Sequence, residues 1–457
     1  MDGVDRLSAL PDDVLNHIVS FLPSDDAVRT SVLARRWRHL WRSTRALRLA
    51  ARRRRRADWT PWSLNSFVNT FLLLRGGAPL DEFEIRCGEI SGGEYDEHSG
   101  DDEPYSVRDR RNAELSRFAA PWIRHALSFC QARALRLSVH SWKQRLRIAD
   151  VLFASSVLST VELAYAKLTF RSLDFSRCPA LESLELMRCK VEVDRILSPS
   201  LRRLTVRGCD FHGENRTRIS TPRVISLQLS VNSGRAPVLE KMPLLEAASV
   251  RFLDDLHMCH DICQRKSSNG DCGYGKCKGC YGSSCDGSSS VVLEGISGAS
   301  ELELASDPTV FIFRRDFKFC TIFSKLKTLV LNEWCMKPDS GALYYFLRNS
   351  PNLEKLTIQI EDLCRVIEKN VVIADEKYTP TEHFSLPKQL RTFKIKWHTE
   401  KKMVKKIIKI LKKIIKILKT YGVPREQISI EKFDPPETSY GPDEDDENVD
   451  SDSDYWW

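Results

Sequence analysis

Six of the 14 cysteines fall in one short stretch, His257-Met258-Cys259-His260-Asp261-Ile262-Cys263 followed by Cys272, Cys277, Cys280 and Cys285 among glycine, serine and lysine. Cys277-Lys278-Gly279-Cys280 is a CxxC pair, and Cys259 and Cys263 stand four residues apart. Two such knuckles supply four thiolates for a tetrahedral structural zinc, which would order a glycine-rich loop with little core of its own. The candidate ligands are therefore Cys259, Cys263, Cys277 and Cys280. The alternative leaves them as free thiols on a surface insertion. A thioredoxin-like dithiol would need a βαβ setting, which the Gly/Ser-rich flanks do not offer. Elsewhere no GxSxG, HExxH or P-loop occurs, so catalysis is not expected of this chain.

The elements that would carry an insertion of this kind are readable on both sides of it. From about residue 130 a Leu-x-x-Leu-x-Leu pattern recurs, as Leu158/Val161/Leu163, Leu181/Leu184/Leu186, Leu201/Leu204/Val206 and Val224/Leu227/Leu229. It returns as Leu326/Leu329/Leu331, Leu353/Leu356/Ile358 and Leu390/Phe393/Ile395. Spacing in the low twenties, longer toward the C-terminus, fits a leucine-rich-repeat solenoid in which each unit gives one short strand and neighbours bury one another. Cys189, Cys209 and Asn232 each follow the last apolar position by three, where such repeats bond the backbone at the inner turn. Alternation along the strands sends Glu185, Met187, Thr205, Arg207, Gln228 and Ser230 outward, onto the concave face where a target would bind.

The first fifty residues predict two or three short helices. Pro11 with Asp12 and Asp13 suits a helix start, Val14, Leu15, Ile18, Val19 and Leu22 recur at helical spacing, Pro23 stops the helix and Ser24 is placed to cap the next. So much leucine and tryptophan in so few residues predicts an apolar patch that a partner covers.

Leu10-Pro11-Asp12-Asp13-Val14-Leu15-Asn16-His17-Ile18 and Ser31-Val32-Leu33-Ala34-Arg35-Arg36-Trp37-Arg38-His39-Leu40-Trp41 resemble a plant F-box over its full length. The resemblance implies a trihelical unit that docks on a Skp-type adaptor and through it on a cullin and a RING subunit. Leu10, Pro11, Leu15, Ile18, Val32 and Trp37 are the adaptor contacts it implies. The cysteine-rich insertion and Ser290–Leu304 resemble a grass subfamily of F-box/leucine-rich-repeat proteins that includes a meiotic F-box protein. The strand Arg391–Trp397, the helix after it and Ile428-Ser429-Ile430 are similar to the FBD region of many plant F-box proteins.

That C-terminal helix repeats Lys-Lys-Ile-Ile-Lys-Ile-Leu at 405–411 and 412–418, with isoleucine and leucine on one half of the wheel and lysine on the other. Such segregation is known from membrane-surface and calmodulin-target helices, but the strand–helix–strand layout favours packing on the end of the solenoid. The expected organisation is α/β: F-box 1–50, a basic linker leading into the repeats at 51–125, leucine-rich repeats 126–400 interrupted by the insertion 256–290, an FBD-like cap 386–433 and an acidic disordered tail 434–457.

Composition fits a folded receptor. Hydrophobic content is 42%, charged content 29% and net charge +8, with bases massed in Arg52–Arg56 and Lys401–Lys419 and acids in Asp443–Asp454. Charge this patchy does not argue for direct nucleic-acid binding. No apolar run long enough to span a membrane and no signal peptide are seen, so an intracellular site, nucleus or cytoplasm, with mostly reduced cysteines is expected. The reading that follows is a non-catalytic substrate receptor of a cullin-type ubiquitin ligase. The alternative is a leucine-rich-repeat scaffold that does not ubiquitinate. Neither names the target.

Overall fold

The computed structural model of the chain describes residues 10–50, 61–87, 105–139, 145–149, 151–213, 215–252, 289–307, 310, 312–336, 341–360, 386–397 and 422–432, with 412, 415–416 and 418–419 besides. The chain opens with α1 (Asp12–Ser20) and α2 (Ser24–Arg29), then two 3₁₀ stretches, Thr30–Val32 and Arg35–Ser43. Pro11 stands just ahead of α1, where no amide N–H is missed and its carbonyl accepts from Val14 and Leu15. Pro23 is the residue that introduces α2, and Ser24 lies inside the helix rather than capping it. Its hydroxyl oxygen instead accepts the Arg48 amide at 2.9 Å, which fastens this helical unit to the first strand.

That strand begins a single parallel ladder. In order come β1 (Ala46–Ala50), β2 (Glu82–Cys87), β3 (Ala134–Val139), β4 (Thr160–Ala164), β5 (Ser183–Met187), β6 (Arg203–Phe211) and β7 (Ser226–Gly234). After these come β8 (Ala247–Phe252), β9 (Glu301–Ser306), β10 (Thr328–Asn332), β11 (Lys355–Ile360), β12 (Thr392–Trp397) and β13 (Ile428–Lys432). Each pairs in parallel with the next in sequence, so the chain advances one strand per turn as a solenoid does. The ladder starts well before residue 126. The stretch read as a linker contains α3 (Pro61–Leu74), β2 and α4 (Tyr105–Ser128).

Burial alternates along the strands. Leu184 and Leu186 are fully buried while Ser183, Glu185 and Met187 are half-exposed. Behind the middle turns a second parallel sheet of four short strands, Ser172–Asp174, Arg195–Leu197, Arg218–Ser220 and Val238–Leu239, closes the core. At the ends helices take that place: α3 and α4 near the N-terminus, α5 (Ile312–Asp316) and α6 (Gly341–Asn349) later. Among the described residues nearly all buried apolar side chains, from Leu15 to Val423, form one continuous cluster.

The inner turns are bonded as the cysteine spacing predicts. Cys189 Sγ donates to the Leu163 carbonyl at 3.2 Å and Cys209 Sγ to the Leu186 carbonyl at 3.4 Å. Asn232, third in that series, leaves its side-chain oxygen buried without a partner. Asn332, which the pattern did not single out, does this work instead, exchanging two 3.1 Å bonds with the Ser306 backbone.

The ladder ends in the strand–helix–strand layout read from sequence. Residues 412, 415–416 and 418–419 are helical, Leu418 is fully buried and Ile415 packs on the core, while Lys412, Lys416 and Lys419 are exposed. Gly422, at φ +82°, turns the chain out of the helix, and the Val423 amide reaches back to the Leu418 carbonyl. The four cysteines proposed as zinc ligands lie outside the described residues. So do Arg52–Arg56 and most of the duplicated lysine segment.

Candidate interaction surfaces

The N-terminal helices bury one stripe and expose another. Leu15 and Val19 of α1 are completely inaccessible, Trp37 is 7% exposed, and Leu40 and Trp41 lie beside it. In the 3₁₀ geometry of Arg35–Ser43 residues three apart eclipse, which sends Trp37 and Leu40 inward together. Of the six sequence-derived contacts, Leu15 and Trp37 are thus core, Leu10 is half-buried, and Pro11, Ile18 and Val32 face out. Val32 is 84% exposed, and Leu33 beside it 69%. Val14 and Ile18 of α1 and Phe21, which caps its C-terminus, lie three or four residues apart and are exposed too. Val14, Phe21 and Leu33 are not among the adaptor contacts that the resemblance implies. The helical period placed them near the right face, but it cannot say which of two apolar stripes remains uncovered. Arg36 ties the 3₁₀ stretch to the start of α1 through Asp12 at 2.7 Å, holding the two halves of this patch together.

The second surface is the outward row of the ladder. The register runs unbroken through Arg48, Glu84, Arg136, Glu162, Glu185, Thr205 and Gln228, and on through Ser249, Glu303, Val330, Thr357 and Lys394 to Ser429. Glu185, Thr205 and Gln228 are neighbours in one column, and Met187 and Arg207 in the next. Arg207 bonds Gln228 at 3.1 Å and lies 3.8 Å from Glu185, so the Thr205 side chain between them is closed off, at 9% exposure. Ser230 faces Arg251 of β8. The row extends further toward the N-terminus than the repeat pattern indicated. Arg48 pairs with Glu82 and Glu84, Arg136 with Glu82 and Glu162, and Arg86 with Glu84. Each of these pairs is partly solvated and adds little stability, but together they fix the side chains of the row.

Between the two surfaces opens a groove of about 740 Å³, lined by His17 and Ser20 of α1, by Phe21 just after it, and by Arg45, Arg48 and Asp81. Its walls are self-paired, with Arg45 2.9 Å from Asp81 and the His17 ring edge-on to Phe21 at 4.8 Å.

One cluster invites a catalytic reading. Ser233 Oγ lies 2.7 Å from Asp210 Oδ1 and 3.1 Å from His212 Nε2. Nucleophilic serine chemistry needs the imidazole between hydroxyl and carboxylate, to take the hydroxyl proton while the carboxylate orients it. Here the hydroxyl is in the middle and gives its hydrogen to Asp210, which also pairs with Arg145 at 2.9 Å. The cluster ties β6 to β7 and does not form a relay. Among the described residues no group of histidine, cysteine and carboxylate side chains could hold a metal, and no helix is long and apolar enough to cross a membrane.

Residues 7–49 match the F-box domain family. An F-box/LRR-repeat protein of Arabidopsis thaliana is 27% identical over 385 residues, covering 78% of this chain and 93% of that protein. An F-box/FBD/LRR-repeat protein of the same plant is 27% identical over 277 residues, 54% of this chain and 60% of the other. The meiotic F-box protein MOF of Oryza sativa subsp. japonica is 29% identical over 379 residues, 78% of this chain and 71% of MOF. No solved structure matches the chain. The chain thus carries an F-box domain at the head of a parallel-strand solenoid and is similar to F-box proteins with leucine-rich repeats and FBD regions.

Proposed function

We propose that the chain is the substrate-recognition subunit of an SCF-type ubiquitin ligase. The observation that carries this reading is the exposed apolar patch of Val14, Ile18, Phe21, Val32 and Leu33 within the F-box match. A patch of this kind is stable in water only at a cost, and it marks a surface that another protein covers. A Skp-type adaptor is the partner an F-box implies, and a cullin and RING subunit would follow through it. Pro11, Ile18 and Val32 then make direct contact, Leu10 borders it, and Leu15 and Trp37 hold the helices in place from beneath. The outward row of the ladder faces the target, which the sequence does not identify. Catalysis belongs to the assembled complex: holding a target lysine near a ubiquitin-charged enzyme turns an encounter between two molecules into an event within one assembly.

The test is complex formation on co-expression with a Skp-type adaptor. Val32→Glu/Leu33→Glu is expected to abolish the complex while the thermal midpoint stays within a degree or two, since both side chains are exposed. Leu10→Ala/Pro11→Ala is expected to weaken it, apolar anchors of this kind being worth about 2 kcal/mol or more each. A wild-type chain that fails to bind, or a glutamate variant that binds as well as wild type, would remove the ligase reading.

A further inference from the structure

Charge is unevenly placed along the outward row. Toward the N-terminus Arg48, Arg86, Arg136, Arg207 and Arg251 all lie against carboxylates of the same face. At the other end Lys355 projects from β11, and Lys394 and Lys396 from β12, among the uncharged Thr357, Gln359 and Thr392. Lys394 alone of the three has an ion pair among the described residues, with Glu431 of β13 at 2.8 Å. Lys432 is exposed at the end of β13, its ammonium 5.9 Å from the centre of the Trp397 ring. The bond from Lys394, with Lys396 and Lys355 nearby, holds the Glu431 carboxyl below the usual carboxylate range. Among the described residues this end of the face carries more positive than negative charge, with Glu431 the one carboxylate set among Lys355, Lys394 and Lys396.

The sequence that follows β13 is its complement. From Phe433 to Trp457 there is no lysine or arginine, while Asp434, Glu437, all of Asp443–Glu447, Asp450, Asp452 and Asp454 are acidic. In extended chain, carboxylates two residues apart, as in Asp450-Ser451-Asp452-Ser453-Asp454, are spaced roughly 6.6 Å, the spacing of Lys394 and Lys396 along β12. The linking residues 433–442 reach about 33 Å when extended, and β11 lies only two strand spacings, about 10 Å, from β13.

We propose that the acidic run Asp443–Asp454 docks on Lys355, Lys394 and Lys396 and competes there with acidic segments of other proteins. The occupant is this chain's own segment because it is tethered: a link of only ten residues gives an effective concentration of order millimolar, above that of a free acidic peptide. The docking does not depend on the ligase reading. Its rival for the same segment is the lysine-rich run between β12 and β13, of which Lys412, Lys416 and Lys419 are exposed.

The experiment uses the full chain and two readouts. In the first, a carbodiimide joins carboxylates to lysines in direct ion pairs, and mass spectrometry maps the joints. Cross-links from 443–454 to Lys355, Lys394 or Lys396 are expected; cross-links confined to 401–419 would overturn the proposal. In the second, a fluorescent synthetic peptide of residues 443–454 is titrated by anisotropy at two salt concentrations. A full-length variant with Asp443→Asn, Glu444→Gln, Asp445→Asn, Asp446→Asn and Glu447→Gln is expected to bind it about tenfold more tightly than wild type, with affinity falling as salt rises. Adding Lys394→Gln/Lys396→Gln should remove that gain, and Lys394→Arg/Lys396→Arg should keep it, which separates lost charge from lost fold. Equal binding by the wild-type and amide-tailed chains, or a gain that survives the glutamine pair, would show that the tail does not occupy this surface.

Discussion

Asp316 is completely buried, and its two oxygens collect the Ser290 hydroxyl at 2.7 Å and the amides of Val291, Val292 and Leu293 at 2.7 to 3.0 Å. Arg315, also buried, stands 3.2 Å away. Three successive N–H groups converging on one carboxylate hold the turn where the chain re-enters the ladder after the insertion. Asp316→Asn would set an amide NH₂ against some of these donors without changing volume. The loss expected is about 2–4 kcal/mol, read as a lower urea midpoint with an unchanged slope. A midpoint equal to wild type would mean the turn is held by something else. A second residue gives a pH signature. Burial pushes the Glu192 carboxyl up, but bonds from Lys190 and Lys167, each at 3.1 Å, outweigh it and leave the group below its ordinary 4.5. A carboxyl depressed in the folded state contributes stability above its unfolded value and loses it as pH falls through the folded one. For so solvated a trio the contribution is of order 0.5 kcal/mol. The stability difference between wild type and Glu192→Gln should therefore be steady from pH 7 to 5 and shrink only below 4.5. A difference that does not change in acid would assign it to packing.

At the scale of elements, what could be read in advance depended on how tightly pattern and spacing agree. Leu181/Leu184/Leu186 and Leu201/Leu204/Val206 recur at one length with nothing but short strands between them, and both the strands and their outward residues are where the pattern puts them. Leu47/Leu49, Phe83/Ile85 and Leu135/Leu137 are equivalent pairs on β1, β2 and β3. They escaped notice because α3 and α4, not short strands, fill the intervals and stretch the repeat far beyond the low twenties. The outward row was accordingly legible at Glu185, Arg207 and Gln228 and not at Arg48, Glu82 and Arg136, where ion pairs link three successive strands. In the N-terminal unit the helices were legible from Pro11, Pro23 and the apolar period. The division of that period into core and surface was not, because it turns on the 3₁₀ stretch that buries Trp37 and on contacts with β1 that no local pattern encodes. The basic C-terminal helix is the converse case. Its two-sided wheel suited a membrane or a partner equally well, and Leu418 buried beneath the last ladder strands favours the packed arrangement.

For the whole molecule, the question is whether the F-box helices and the ladder move as one body, since the proposed role, positioning a target for modification, depends on it. The joint between them is Arg75, only 5% exposed. It follows α3 directly and lays its guanidinium over the Phe71 ring, bonds Thr44 Oγ1 at 3.1 Å and the Pro79 carbonyl at 3.2 Å, and reaches the Trp41 carbonyl at 3.4 Å. One side chain thus connects the end of the 3₁₀ stretch, the end of α3 and the loop into β2. Burial lowers its pKa to about 10, so the charge is retained at neutral pH and is held by these acceptors. Arg75→Met keeps much of the volume and removes every bond. Hydrogen bonds to a charged group are worth about 1.5–3 kcal/mol, and a loss of about 3 kcal/mol corresponds to roughly a hundredfold rise in opening. The loss should be local. Contacts in a solenoid pass only between neighbouring turns, so amide exchange should accelerate by about that factor from Trp41 through Leu49 and at Leu80–Ile85, while β6 and β7 exchange as in wild type. Adaptor binding should persist, because the exposed patch of Val32 and Leu33 does not touch Arg75 chemistry, whereas target modification in a reconstituted ligase should fall. If exchange quickens equally along β6 and β7, helices and ladder unfold as one cooperative unit and the joint has no separate role. If no amide near Trp41 changes, the rigidity of the receptor comes from Ser24 and Arg48 instead.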